Sequence, residues 1–132
     1  MSYAAAAALQ AAIYARLTGW AGLAGISVVD ELPSGGGKGT FVLLGPETAL
    51  DRGDATGRAA ERQVQISVIS DAKGFVAAKT AAAAVSAALI DAPMTLAAGH
   101  LVGLQFVKAT AKRLDEGNVR RIDLTFRARI DF

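Results

Sequence analysis

The chain has 132 residues, enough for one domain with its own core and too few for two comfortable ones. Hydrophobic residues make up 52%, but alanine supplies much of that and aromatics only 6%, so the core is expected to be thin and to favour oligomerisation. The absence of cysteine excludes disulfides and thiolate metal sites, and a net charge of +2 excludes a strong polyelectrolyte.

The opening "MSYAAAAALQAAIYARL" predicts a helix over 3–18, with Leu9, Ala12 or Ile13, Leu17 and Trp20 on one face. It lacks a basic leader, and Gln10, Tyr14 and Arg16 interrupt its apolar run, so it reads as a folded helix and not a signal peptide. No segment reaches the roughly 18 unbroken apolar residues of a membrane span, and a soluble protein is expected. Gly19 and Gly22 mark the helix end. "ISVVDEL" (26–32) is β-branched and reads as a strand. A glycine-rich hairpin connection follows, then a second strand, "FVLLGPETALDR" (41–52), in which Pro46 predicts a bulge or an edge position.

"GDATGRAAE" (53–61) reads as a turn or mobile loop. In "RQVQISVISD" (62–71), Val64, Ile66 and Val68 alternate with Gln63, Gln65 and Ser67, which predicts a strand with one buried and one polar face. A second helix is predicted over 73–90, with Phe75, Ala78, Ala82, Val85 and Leu89 as its packing stripe and Pro93 just beyond its end. The last third reads as a hairpin, 100–113 and 118–132, joined by "LDEGN". In its second arm Ile122, Leu124, Phe126, Ala128 and Ile130 share one face. Asp123, Thr125, Arg127, Arg129 and Asp131 share the other. The order α-β-β-β-α-β-β predicts a single α+β domain over 1–132, with an antiparallel or mixed sheet and both helices on one face.

The stretch "LPSGGGKGTFVLLG" invites a phosphate-loop reading and fails it. A Walker A loop needs Gly-Lys followed directly by Ser or Thr and then a helix. Here Gly39 follows Lys38, and the next element is a strand, so no helix N-terminus offers its amides to a phosphate. His100 is the only histidine, and neither Asp91 nor Asp115 stands at a motif spacing from it. Asp30-Glu31 and Asp115-Glu116 are adjacent pairs whose members point to opposite sides of an extended chain, so neither is a carboxylate dyad. No catalytic, metal or cofactor site is expected. Lys108, Lys112, Arg113, Arg120, Arg121, Arg127 and Arg129 concentrate in the final hairpin. Acids share the row and no aromatics interleave for base stacking, so a solvated or subunit-contacting face is favoured over a nucleic-acid site.

The layout carries a resemblance over residues 8–130. "LQAAIYARLTG" precedes "LPSGGGKGTFVLLGPET"; then come "GRAAERQVQISVIS", "KTAAAAVSAALIDAPMTLAAGHLVGLQF" and "VRRIDLTFRARI". The most telling pieces are "FVLLGPET", the G-R-x-x-E run leading into an alternating strand, and "ALIDAPMTLAAGHLVGLQF". The chain resembles the tail-completion, or tail-terminator, proteins of long-tailed (siphovirus-like) bacteriophages, prophages and gene transfer agents.

The resemblance implies a structural virion protein, assembled in the bacterial cytoplasm. It would form a hexameric ring that caps the head-proximal end of the tail tube. Its implied partners are copies of itself, the major tail tube protein and the head-completion (stopper) protein, with DNA passing through the lumen without sequence-specific binding. No cofactor and no membrane are implied. Loops 33–40 and 51–60, which carry Lys38 and Arg52 and Arg58, are expected to face neighbouring subunits or the tube. Phe41, Glu47 and Glu61 flank them. Arg120, Arg127 and Arg129 are assigned to the ring interface in preference to the lumen, because a positive lumen would grip passing DNA. Two other roles remain open on the residues alone: a head-completion connector, and a nucleic-acid-binding module.

Overall fold

Alanine loses no side-chain entropy on entering a helix, and the alanine-rich start folds as helix α1 (Ala6–Thr18). Leu9, Ile13 and Leu17, one turn apart, are its buried stripe. The computed structural model describes residues 6–51, 59–92, 94, 96 and 100–131. Among these, no helix is long and apolar enough to cross a membrane. The second helix, α2 (Val76–Leu89), buries Ala78, Ala81, Ala82, Val85, Ala88 and Leu89. It begins later than residue 73, because Gly74 takes a positive φ and Phe75 stands at the cap. Arg16, in the last turn of α1, donates from Nε to the Ala88 carbonyl oxygen at 2.7 Å and lies 5.0 Å from the Trp20 ring. That bond satisfies a carbonyl in the last turn of α2 and ties the two helices together.

Five strands form one sheet: β1 (Ser27–Val29), β2 (Thr40–Asp51), β3 (Ala59–Ser70), β4 (His100–Leu114) and β5 (Val119–Asp131), in the spatial order β1-β2-β3-β5-β4. Both helices pack over the face bearing Val42, Val64, Ile66, Val68, Ile122, Leu124, Phe126, Ala128 and Ile130, as the alternation required. β4 and β5 form the expected hairpin, with Arg113 opposite Arg120 near the turn. The β2–β3 register shifts between Leu44 and Glu47, so Pro46 sits at a bulge where its missing N–H costs no ladder bond.

Three expectations need correction. The glycine segment is not a hairpin connection, because β1 pairs with β2 in parallel, Val28 opposite Val42, and residues 30–39 carry the chain back to the start of β2. The sheet is therefore mixed. β1 is also shorter than 26–32, while β3 starts at Ala59, inside the expected turn; residues 52–58 lie outside the described set, as does Pro93. Finally, the outer face of the sheet is not wholly polar. Phe41, Leu43 and Ile69 are buried there as a second apolar cluster, with Val29 and Val119 beside them.

Candidate functional site

The glycine segment explains that second cluster. It contains a short 3-10 turn, Ser34–Gly36, and positive φ at Gly35, Gly37 and Gly39. A Cβ built on Gly37 would stand 2.8 Å from Cε1 of Phe41, so the loop lies directly on that ring. Phe41 is 4% exposed. It serves as the loop's own anchor. Lys38 is exposed between two of these glycines and leads into β2, with no helix following.

The outer face carries a polar network across three strands. Ser67 on β3 donates to Oδ1 of Asp123 on β5 at 2.6 Å, and Arg121 Nε donates to the same oxygen at 2.7 Å. Arg121 also donates to Ser67 Oγ at 3.2 Å, and Lys112 on β4 lies 3.4 Å from Oδ2 of Asp123. Burial alone would push the Asp123 carboxyl up. The hydrogen bonds from Arg121 and Ser67, with the charges of Arg121 and Lys112, together hold it below its ordinary value. A depressed folded pKa means stabilisation that is complete above the unfolded carboxyl pKa of about 4 and lost as pH falls through the folded value. Asp123→Asn is therefore expected to cost about 1–2 kcal/mol at pH 7, with the gap to wild type closing in strong acid. Urea denaturation at the two pH values measures it; a gap that does not change with pH refutes the assignment.

The arginines of β5 separate by parity. Arg127 and Arg129 are exposed on the outer face, and Arg127 donates to Gln105 Oε1 at 3.1 Å. Arg120 shares the helix-side face with Ile122 and Leu124, so the structure does not bring these three arginines together. Glu61 is half-buried on β3, opposite Leu50 and Arg129. Glu47 lies just past the β2 bulge. Arg52 and Arg58 fall outside the described residues.

Arg120 belongs to a group that the sequence reading missed. Its Nη1 donates to the Ala72 carbonyl oxygen at 3.1 Å. Around the half-buried Phe75 ring stand Lys79 Nζ at 5.6 Å, Arg113 Cζ at 5.4 Å and Arg120 Cζ at 5.7 Å from its centroid. The ring quadrupole attracts each cation, while the cations repel one another. The described ion pairs of this hairpin use Asp123 on the other face, and none reaches these three. Two signals were available beforehand: Phe75 and Lys79 are one helical turn apart, and the hairpin register sets Arg113 against Arg120.

The sheet ends in two unlike edges. On the β4 side residues 105–114 are exposed on both faces, including Phe106 and Val107 at a register shift. A groove of roughly 270 Å³ runs there between α2 and the strand, past Lys79, Ala83, Phe106 and Ala109. On the β1 side a larger groove of roughly 660 Å³ lies between α1 and the first two strands, lined by Ala7, Gln10, Tyr14, Val28, Asp30 and Leu44. Asp30 and Glu31 are exposed at this edge, and the one described side-chain bond there is from Gln10 Nε2 to Asp30 Oδ2 at 3.3 Å. Such a molecule offers surfaces for other proteins to cover.

Comparison with known proteins bears on which proteins those are. The family model described as "Tail completion protein gp17" matches residues 11–131. A chain in the structure titled as the virion of a native gene transfer agent particle is 51% identical, with a TM-score of 0.90, covering 99% of this chain and 100% of that one. A further solved structure, 16% identical over 98% of this chain and 97% of its own, has a TM-score of 0.64 and shares the fold. No match was found among curated proteins. With the family model spanning nearly the whole described fold, from within α1 to the end of β5, the chain belongs to the tail-completion family of phage-like particles.

Proposed function

We propose that this protein is a tail terminator: a ring, six subunits in its complete form, that caps the head-proximal end of a virion tail tube. The ring stops tube polymerisation and receives the head-completion protein on its other side. The observation that carries this reading is the end-to-end match, in sequence and fold, to a chain of a gene transfer agent virion, joined to membership of the tail-completion family. The molecule suits the role, because its two sheet edges differ, and a closed ring needs one surface of each subunit to meet a different surface of the next. Once closed, the ring can present one end to the tube and another to the head-completion protein, so tube growth has nowhere to continue. Lys38, Glu47, Arg52, Arg58 and Glu61 are proposed to lie toward neighbouring subunits or the tube. Arg127 and Arg129 are proposed for subunit contacts while DNA passes through the lumen.

Purified major tail tube protein polymerised with and without this chain tests the proposal. Tubes are expected to stop growing when the chain is present, with a ring of extra density at one end in negative-stain images. Unlimited growth in its presence refutes the role. Capture of head-side proteins without any binding to tube protein would instead identify a head-completion connector.

A further inference from the structure

Unbalanced charge stands at both edges of the sheet, with opposite sign. At the β4 edge, Lys79, Arg113 and Arg120 surround Phe75 with no carboxylate in ion-pair reach among the described residues. At the β1 edge, Asp30 and Glu31 are exposed beside the α1 groove, and no described cation pairs with either. β4 and β1 are the two ends of the strand order. The cationic end costs self-repulsion within a Debye length of about 10 Å, which an anionic surface would relieve. Both ends also carry apolar area next to the charge: Phe106 and Ala109 at one, Ala7, Val28 and Leu44 at the other.

We infer that the β4 edge of one copy docks against the β1 edge of the next, with Lys79 and Arg113 facing the Asp30-Glu31 carboxylates of a second copy. The inference rests on the ring reading and specifies which surfaces close it. Such a contact is heterologous, since each copy uses one edge as donor of positive charge and the other as donor of negative charge. Charge fixes orientation and register, and the flanking apolar grooves supply the buried area. Like charge within each edge also bars that edge from meeting itself, so two β4 edges do not pair into a closed dimer. Nucleic acid is the weaker occupant for the cationic end. Phe75 is already occupied by the cations, and among the described residues Phe106 is the one other ring lining the groove there, too few for a row of stacked bases.

The test uses two variants whose changes are all at exposed positions. One is Lys79→Glu/Arg113→Glu, the other Asp30→Lys/Glu31→Lys. Circular dichroism confirms that each folds, and native mass spectrometry, alone and with tube protein, reads assembly. Each variant by itself is expected to assemble at least tenfold more weakly than wild type. An equimolar mixture is expected to recover rings of alternating composition, because every contact in the mixture joins opposite signs; the variant carrying all four changes is expected to recover as well. Either two-site variant assembling like wild type overturns the inference, and so does a mixture that fails to rescue. Retained assembly with loss of duplex DNA binding in Lys79→Glu/Arg113→Glu overturns it in favour of a nucleic-acid contact. Wild-type chain that stays monomeric even with tube protein overturns the ring reading itself, a result distinct from all the others.

Discussion

Phe126→Ala is expected to destabilise the protein by about 3–5 kcal/mol, the largest effect of any single core truncation considered. Phe126 is fully buried on β5, in the middle of the layer between sheet and helices, and meets Phe106 edge-on with centroids 6.0 Å apart. The buried residues of α2 in the same core are largely alanines, which have no length with which to move into the space it would leave. A domain of this size has a total stability of about 5–15 kcal/mol, so a large share would go. Thermal denaturation should show a fall of roughly 10–20 °C. Phe106→Ala, at a ring 45% exposed, provides the control and is expected to cost less than half as much. Equal losses at the two sites would mean that Phe126 does not anchor the core.

The second large effect is expected at Gly37, where alanine should cost about 3 kcal/mol. Its φ of 75° and ψ of 172° lie in a region open essentially to glycine alone, and an added Cβ would strike the Phe41 ring at 2.8 Å. Gly39 separates the two causes. It also has positive φ, at 73°, yet nothing lies within 4 Å of a Cβ placed there, so Gly39→Ala should cost only about 1 kcal/mol. Denaturant midpoints of the two variants measure the difference. The Gly37 variant should also expose the Phe41, Leu43 and Ile69 cluster, read as enhanced binding of a hydrophobic dye. Identical midpoints for the two variants would show that the loop does not rest on Phe41.

How much of this was open to reading in advance differs from element to element. β5 announced itself because one of its faces lies under the helices and the other faces out. That forces a two-residue period from Ile122 to Ile130. Pro46 gave away the bulge for an equally direct reason, the missing donor. β1 could not be oriented, because three residues carry too little pattern to set a direction or a register. Arg62 shows a different failure. It lies in the same row as Val64, Ile66 and Val68 and is fully buried, but a charged residue in such a row reads as the start of a surface. The candidate contact at Phe75 joins α2 to the tip of a hairpin, and only tertiary packing brings those two segments together. Family resemblance identified the kind of particle, while the surfaces it suggested stayed expectations, since contacts between subunits leave no periodic pattern in a single chain.

The position of β5 constrains the order in which the molecule can be made. β5 follows every other strand in the chain, yet it lies between β3 and β4. As the chain leaves the ribosome, β2 and β3 can pair and α2 can form, but the far side of β3 has no partner and β4 has nothing to attach to. The sheet is complete only when β5 pairs with β3 on one side and with β4, its hairpin partner, on the other. The β4 half of the proposed contact therefore takes its place only through β5, whereas the β1 half needs only α1 and the first two strands. A chain that lacks β5 would thus carry the anionic edge without the cationic one, and could meet a neighbour on one side only.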